Sequence, residues 1–385
     1  MAVGWDIDPD VARWAGLAAL NGDQVADACV VGLGASGLAA VTALVERGLS
    51  VVGVDAGRVA AGAAGRNGGF LLGGPALFLH DAITRWGAAA AVDLYRATLA
   101  ELERLAGALG PEVVRRTGSI RLAGLPGDPA SLAEELDRDR ELADCAAQAG
   151  ALRRHGIPVE DYDGPLGRGI FLPEDAAMNP ATRALALAGQ AAGVASLYEQ
   201  TRVLEVAPGR VRTEHGSVSV AVVIVAVDGG LEALLPQLAG RVRTARLQML
   251  ATHPIAPGRL PNPLYGRWGY DYAQQTPDGR LFVGGGRDLF AEQEWTTDPG
   301  ATPAVQRYLD GLARRMAGGG VTVSHRWGAL VGYTADGRPL CTPAADGVVA
   351  IGGYNGTGNL VGPVAARAAV ALALDATPPP AYCAS

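Results

Sequence analysis

Lysine is missing from this chain of 385 residues, so all 32 basic residues are arginine. That excludes Schiff-base catalysis and the Walker-type phosphate loop with its lysine. Cysteine is scarce: Cys29, Cys145, Cys341 and Cys383 lie far apart and form no CxxC pair, which argues against a zinc ribbon or a redox dithiol. Such cysteines suit a reducing cytoplasm, and no metal is expected. No run approaches the ~18 uncharged apolar residues of a membrane span. The opening, with Asp6, Asp8 and Asp10, lacks the basic flank and apolar stretch of a signal peptide. With 32 basic against 39 acidic residues, a net charge of -7 and no basic block, nucleic acid is not an expected partner. These absences together lead us to expect a soluble cytoplasmic protein.

Apolar material is plentiful. Hydrophobic residues make up 49% of the chain and charged ones 18%, enough for a sizeable core. The length exceeds that of an ordinary single domain, which favours two closely packed domains or one large two-part α/β unit.

The clearest pattern lies near the start. Ala28-Cys29-Val30-Val31 reads as a buried parallel strand. It runs into Gly32-Leu33-Gly34-Ala35-Ser36-Gly37, a helix from Leu38 to about Arg47, and a second strand, Ser50 to Val54, ending at Asp55. Each glycine has its own task in such a unit. Gly32 turns the chain out of the strand, Gly34 lets the backbone approach a pyrophosphate, and Gly37 lets the helix pack close to the strand. The helix start offers unpaired N–H groups to phosphates, with Ala35 and the Ser36 hydroxyl beside them. Asp55, 23 positions after Gly32, is placed to accept both ribose hydroxyls, next to Ala56. Arg58 is a candidate for the pyrophosphate, for a 2′-phosphate, or for a plain surface ion pair.

Along the rest of the chain we expect a short helix within 1–25, a glycine-rich loop over 57–75, and helical segments at 77–110 and 129–150. Asn179-Pro180 should start a helix to about Gly193. Strands are expected at 195–198, 202–206, 210–214 and 217–227. The aromatic, alternating stretch 241–290 suggests an antiparallel sheet, followed by a helix at 303–317, strands at 321–330 and 348–351, and an Ala-rich helix to about 374. Buried strands with glycine turns thus stand at the start, middle and end, separated by insertions. The expected class is α/β (α+β overall): a Rossmann-like nucleotide-binding domain from 1–80, 165–240 and 325–385, with a substrate domain from 81–164 and 241–324 built on an antiparallel sheet.

Residues 27–70 resemble the FAD-binding entry of the D-amino-acid-oxidase-like flavoproteins, and most closely the glycine, sarcosine and gamma-glutamylputrescine oxidase branch. Gly62-Ala63-Ala64-Gly65-Arg66-Asn67-Gly68-Gly69 stands where that branch carries G-A-S-G-R-N-G-G. The similarity continues through Asn179-Pro180, Tyr198 to Val203, Trp327-Gly328, Thr334 to Pro339, and Gly353-Tyr354-Asn355-Gly356-Thr357-Gly358. The resemblance implies FAD. Its contacts would be the first glycine loop, Asp55, Arg66 to Gly69, the backbone near Val203 at the adenine end, and Gly353, Gly356, Thr357, Gly358 and Asn359 on the flavin's pyrimidine side. It also implies oxidation of a C–N bond in an amine or amino-acid-like substrate, with hydride passing to flavin N5 and O2 or another acceptor taking the electrons.

Three departures stand out. Asp55 replaces the usual Glu, and Ala64 replaces the serine of the loop. The arginine that forks onto a substrate carboxylate in amino-acid-oxidising relatives falls near Val331. Relatives with covalent flavin have a cysteine in that region, so non-covalent FAD is expected here. Sarcosine-oxidase-like members use a lysine to promote reaction with oxygen, and this chain has none. Substrate-site candidates are Arg66, Asn67, Tyr265, Arg267, Tyr270, Tyr272, Tyr333 and Tyr354, because aromatic walls select and desolvate amines. His253 and His325 read as structural. The competing readings are an NAD-dependent dehydrogenase, a flavin-binding protein without amine turnover, and a flavin hydroxylase.

Overall fold

The computed structural model describes residues 3–384. A six-stranded sheet carries the first glycine turn. Its order is Leu340–Ala345, Val348–Gly352, Val222–Val225, Ala28–Val31, Val51–Val54 and Ser196–Tyr198. All neighbours run parallel except the edge strand Leu340–Ala345, which is antiparallel to Val348–Gly352. The central strands are apolar at every position because both faces are covered. One face packs on helices Ala35–Glu46, Pro180–Ala192 and Gly358–Asp375 through Val30, Leu38, Val41, Ala184, Ala188, Ile224, Val361 and Ala365. On the other face Cys29, Val31, Val223 and Val225 meet Val211 and Val218 of a small four-stranded sheet, with Leu231, Leu235 and Leu238.

An eight-stranded sheet forms the second layer system. It runs in the order Val323–Tyr333, Arg243–Thr252, Leu281–Gly284, Asp271–Gln275, Leu264–Gly266, Ser119–Leu122, Gly167–Leu172 and Glu160–Gly164. Only the Leu264–Gly266 and Ser119–Leu122 pair is parallel. Helix Pro303–Ala317 covers one face through Val305, Leu309, Leu312 and Met316. Helices Leu79–Trp86, Ala88–Leu109 and Leu132–Arg154 contribute a further cluster around Phe78, Tyr95, Cys145, Ile170 and Tyr265.

Several expected elements are resolved differently. The stretch 77–110 is two helices, broken at Gly87, whose φ of +85° ends the first one. The expected strand 217–227 is two: Ser217–Ser219 pairs in the small sheet and Val222–Val225 in the six-stranded one. Between 1 and 25 there is a 3-10 turn, Gly4–Ile7, and a four-residue helix, Pro9–Ala12, while positions 1 and 2 lie outside the described residues. Strand pairing also crosses two expected domain edges. Gly167–Leu172 belongs to the eight-stranded sheet although it lies beyond 164, and Val323–Tyr333 runs past 324 in that same sheet. Among the described residues no helix is long and apolar enough to cross a membrane, and no cluster of acidic, His and Cys side chains could hold a metal. All four cysteines are free and buried.

Candidate functional site

The carboxyl ends of the parallel strands open into a cleft of about 830 Å³. This is where open α/β sheets bind ligands. Gly32, Gly34, Ala35 and Ser36 of the first turn line it, with Asp55, Ala56 and Arg58 after the second strand. Arg66 and Asn67, Val203, and Tyr354, Gly356, Gly358 and Asn359 from the carboxy-terminal turn line the same space. Segments some 300 residues apart in sequence therefore meet around one cavity.

The glycines differ in what surrounds them. Gly32 takes a φ of +95°, open to glycine at little cost. A Cβ on Gly37 would stand 1.7 Å from the Gly32 carbonyl oxygen, so helix and strand touch there. A Cβ on Gly34 would find only Ala64, at 3.6 Å, an ordinary contact. Protein packing thus requires glycine at 37 but not at 34, which faces the cleft.

Asp55 is oriented by the backbone. Leu33 N–H donates to Oδ2 at 2.8 Å and Gly57 N–H to Oδ1 at 2.9 Å. Each carboxylate oxygen keeps lone-pair capacity toward the cleft. Burial raises the Asp55 pKa, the two N–H groups oppose that, and nearby Glu199 adds to it. Glu199 itself accepts from Trp14 Nε1, Leu17 N and Val59 N, pinning the leading segment beside the site. Arg58 donates to the Val11 carbonyl at 2.8 Å, which ties its guanidinium to the leading segment.

The Arg66–Gly69 loop is held by two indoles that sequence reasoning did not assign to the site. Trp327 Nε1 donates to the Arg66 carbonyl at 2.8 Å and Trp5 Nε1 to the Asn67 carbonyl at 2.9 Å. Trp5 in turn stacks on Phe282, with centroids 3.4 Å apart. The side chain of Asn67 forms a reciprocal amide pair with Asn359, at 3.1 and 3.0 Å, and also accepts from Gly69 N. It links the first loop to the last helix, which is a scaffolding position. Arg66 is the freer of the two: its Nε is buried without a partner, and burial lowers its pKa while Asp6 opposes the shift.

Asp228 is the other group that the sequence concealed. It has a φ of +51°, and its carboxylate accepts from Gly332 N at 3.0 Å, Gly353 N at 2.8 Å and Tyr354 N at 3.3 Å. One side chain thereby joins the ends of three strands. Burial pushes its pKa up to about 6 against those donors. Past strand Val222–Val225 and two intervening residues comes Asp-Gly-Gly, which announces a turn but not this acceptor role.

The aromatic candidates separate into groups. A Cβ on Gly68 would stand 3.1 Å from the Tyr272 ring, and one on Gly356 3.7 Å from the Tyr333 hydroxyl, so the two tyrosines border the Arg66–Gly69 and Gly353–Gly358 turns. Tyr270 joins Tyr333 through Arg287, which lies over both rings. Tyr265 is the cross-strand partner of Tyr272 and is buried, with Arg121 4.6 Å over its ring. Arg267 pairs with Asp288 at 2.5 Å and Asp271 at 3.3 Å, so two carboxylates already occupy it. Tyr354 is buried against Gly358 and Gly362, at the start of the last helix. Thr357 stands at the N-cap position without a side-chain capping bond, its hydroxyl donating back to the Tyr354 carbonyl at 2.9 Å. His253 and His325 lie in or beside strands, and His325 Nδ1 is 3.1 Å from Ser324 Oγ.

Known proteins resemble this chain over most of its length. A model of the family described as FAD dependent oxidoreductase (DAO) matches residues 27–372. The chain is 28% identical over 381 residues to a Rhizobium meliloti protein named probable oxidoreductase OrdL, covering 92% of this chain and 84% of that one. It is 27% identical over 380 residues to the Escherichia coli gamma-glutamylputrescine oxidoreductase, covering 90% and 83%. Among solved structures, L-proline dehydrogenase from P. horikoshii superimposes with a TM-score of 0.74 at 17% identity, over 94% of this chain and 96% of that one. Glycine oxidase from Geobacillus kaustophilus gives 0.70 at 19% identity, over 92% and 95%. At those identities the structures show the shared fold. The glycine turns, the acid after the second strand and the family match over nearly the full length lead to one conclusion: this chain belongs to the DAO family of FAD-dependent oxidoreductases.

Proposed function

We propose that the chain oxidises a C–N bond of an amine or amino-acid-like substrate, using non-covalent FAD held in the cleft. The observation that carries this reading is the meeting of three separated glycine-rich turns around one cavity of about 830 Å³. The residues present fit the cofactor: a bare Gly34 at a helix start for the pyrophosphate, an oriented Asp55 for the ribose, and a second helix start at Gly358. The names of the relatives, an oxidoreductase of gamma-glutamylputrescine, a glycine oxidase and a proline dehydrogenase, support nitrogen-bearing substrates. The nicotinamide alternative leaves the Arg66–Gly69 and Gly353–Asn359 turns without a task.

Bound FAD would supply the hydride acceptor, and the protein supplies position and a dry surface. Gly34 and the N–H groups after it seat the phosphates. Asp55 receives ribose hydroxyls. The start of helix Gly358–Asp375 would offer its unpaired N–H groups and positive dipole end to the flavin. Asp228 fixes the turn leading into that helix. Tyr272 and Tyr333 form the wall against which the amine lies. The electron acceptor is O2 or another oxidant. We also propose a two-part division, in which the six-stranded sheet carries the cofactor and the eight-stranded sheet, with strands 167–172 and 323–333, faces the substrate. The test is anaerobic titration of the purified protein with an amine and amino-acid panel. The reading expects at least one compound to bleach the flavin band, and a flavin that dithionite reduces but no amine does would overturn it.

A further inference from the structure

Arg287 follows strand Leu281–Gly284, and three rings surround its guanidinium. The centroids of Tyr333, Trp295 and Tyr270 are 4.6, 5.4 and 5.6 Å away. Trp295 stands edge-on to Tyr333 at 5.5 Å and carries a second guanidinium, that of Arg243, at 4.0 Å. Four acids of the adjoining segments are committed elsewhere. Arg267 takes Asp271 and Asp288, and Arg246 takes Glu294 and Asp298. Among the described residues no carboxylate forms an ion pair with Arg287 or Arg243. Both cations lie against ring faces, and Arg287 also reaches the Tyr333 hydroxyl, which leaves further N–H groups of each guanidinium available to a carboxylate.

The position of this cage decides what it can bind. Tyr333 lies between Arg287 and the cofactor turn, its ring under the guanidinium and its hydroxyl 3.7 Å from where a Cβ of Gly356 would be. On the outer side Tyr270 is 37% exposed and Arg243 is exposed. A carboxylate on the carbon being oxidised would sit on the cofactor side of Tyr333. One that reaches Arg287 must lie a tyrosine ring farther out.

We propose that Arg287, seated in the Tyr270–Trp295–Tyr333 cage, binds an acidic group of the substrate, and that the substrate is an amine whose carboxylate is carried away from the oxidised C–N bond. This deepens the amine-oxidation reading and rests on it. Val331 leaves no arginine at the position expected for an α-carboxylate, and the cage supplies one at a longer reach.

Calorimetric titration of the purified holoprotein with benzoate, and with benzamide as its uncharged analogue, tests the anion site. Benzoate is expected to bind at least tenfold more tightly than benzamide. Arg287→Gln is expected to weaken benzoate at least tenfold while FAD content and melting temperature stay unchanged. Equal affinity for the two probes, or benzoate binding unaltered in Arg287→Gln, overturns the proposal. If that variant does not fold, Tyr270→Leu, which removes the outermost ring, is expected to weaken benzoate several-fold, and unchanged binding counts against the cage. In anaerobic flavin reduction, an ω-amino acid is expected to outpace its α-amino isomer, with the advantage lost in Arg287→Gln; the reverse order overturns the distal placement. FAD bound with flat benzoate titrations rejects this site alone. Arg287-dependent benzoate binding to a protein that takes up no flavin rejects the oxidation reading instead.

Discussion

Replacing Gly34 by alanine separates the needs of the fold from those of the ligand. Gly34 has a φ of -78°, which any residue adopts, and the new Cβ would meet only Ala64 at 3.6 Å. Reduced freedom of the unfolded chain favours the variant by about 0.4–1 kcal/mol, and losing glycine at a helix N-cap costs a similar amount. The flavin-free protein should therefore melt within a few degrees of wild type. The methyl group nonetheless projects into the space assigned to the pyrophosphate, where overpacking costs about 1–3 kcal/mol. Lost phosphate hydrogen bonds add to that, and about 2.8 kcal/mol corresponds to a hundredfold loss of affinity. Gly37→Ala is the contrast. Its Cβ would lie 1.7 Å from the Gly32 oxygen, against an ordinary C···O contact of about 3.3 Å, so the helix must shift by over an ångström and both folding and FAD binding suffer. Differential scanning fluorimetry of the flavin-free proteins and FAD titration by fluorescence quenching read the two effects apart. A Gly34→Ala protein that binds FAD like wild type would refute the reasoning, as would one that fails to fold while Gly37→Ala folds normally.

Other perturbations follow the same geometry. Arg246 and Glu294 form a buried pair at 2.8 Å with side chains 5% and 1% exposed, so Arg246→Met strands a buried carboxylate and should cost about 3–5 kcal/mol in denaturant unfolding. Trp327→Phe removes the donor to the part-buried Arg66 carbonyl, at a cost of about 1 kcal/mol; FAD titration should show weaker binding with the secondary structure intact. Burial raises the carboxyl pKa of Glu141 and Asp175 to about 7 and of Asp228 to about 6. The folded chain then holds protons that the unfolded chain has released, so stability is fullest below the ordinary carboxylate range and declines as pH rises to about 7. Thermal melts from pH 5 to 8 should show that decline in the flavin-free protein, and Glu141→Gln should flatten it.

Much of the nucleotide-binding half was legible because its signals are local. Ala28–Val31, the glycine turn and Asp55 lie within one βαβ stretch whose apolar runs, helix period and turn residues agree. Hidden strands had physical reasons to be hidden. Glu160–Gly164 is a largely exposed edge strand rich in Asp, Glu and Gly, and Leu340–Ala345 contains Pro343, tolerated because that strand is also an edge. The site shows the same division. The aromatic stretch around Tyr270 and Tyr272 was visible, but Arg287 and Trp295 reach it from later turns through sheet pairing that no local pattern encodes. Asp228, Trp5 and Trp327 act through backbone groups of remote segments, so their roles appear only once the chain has closed.

Flavin content of the purified protein tests the central claim most directly. Absorbance and FAD released on denaturation should give one flavin per chain, and the non-covalent attachment proposed above predicts that acid precipitation removes it. A colourless preparation that takes up no added FAD would contradict the account.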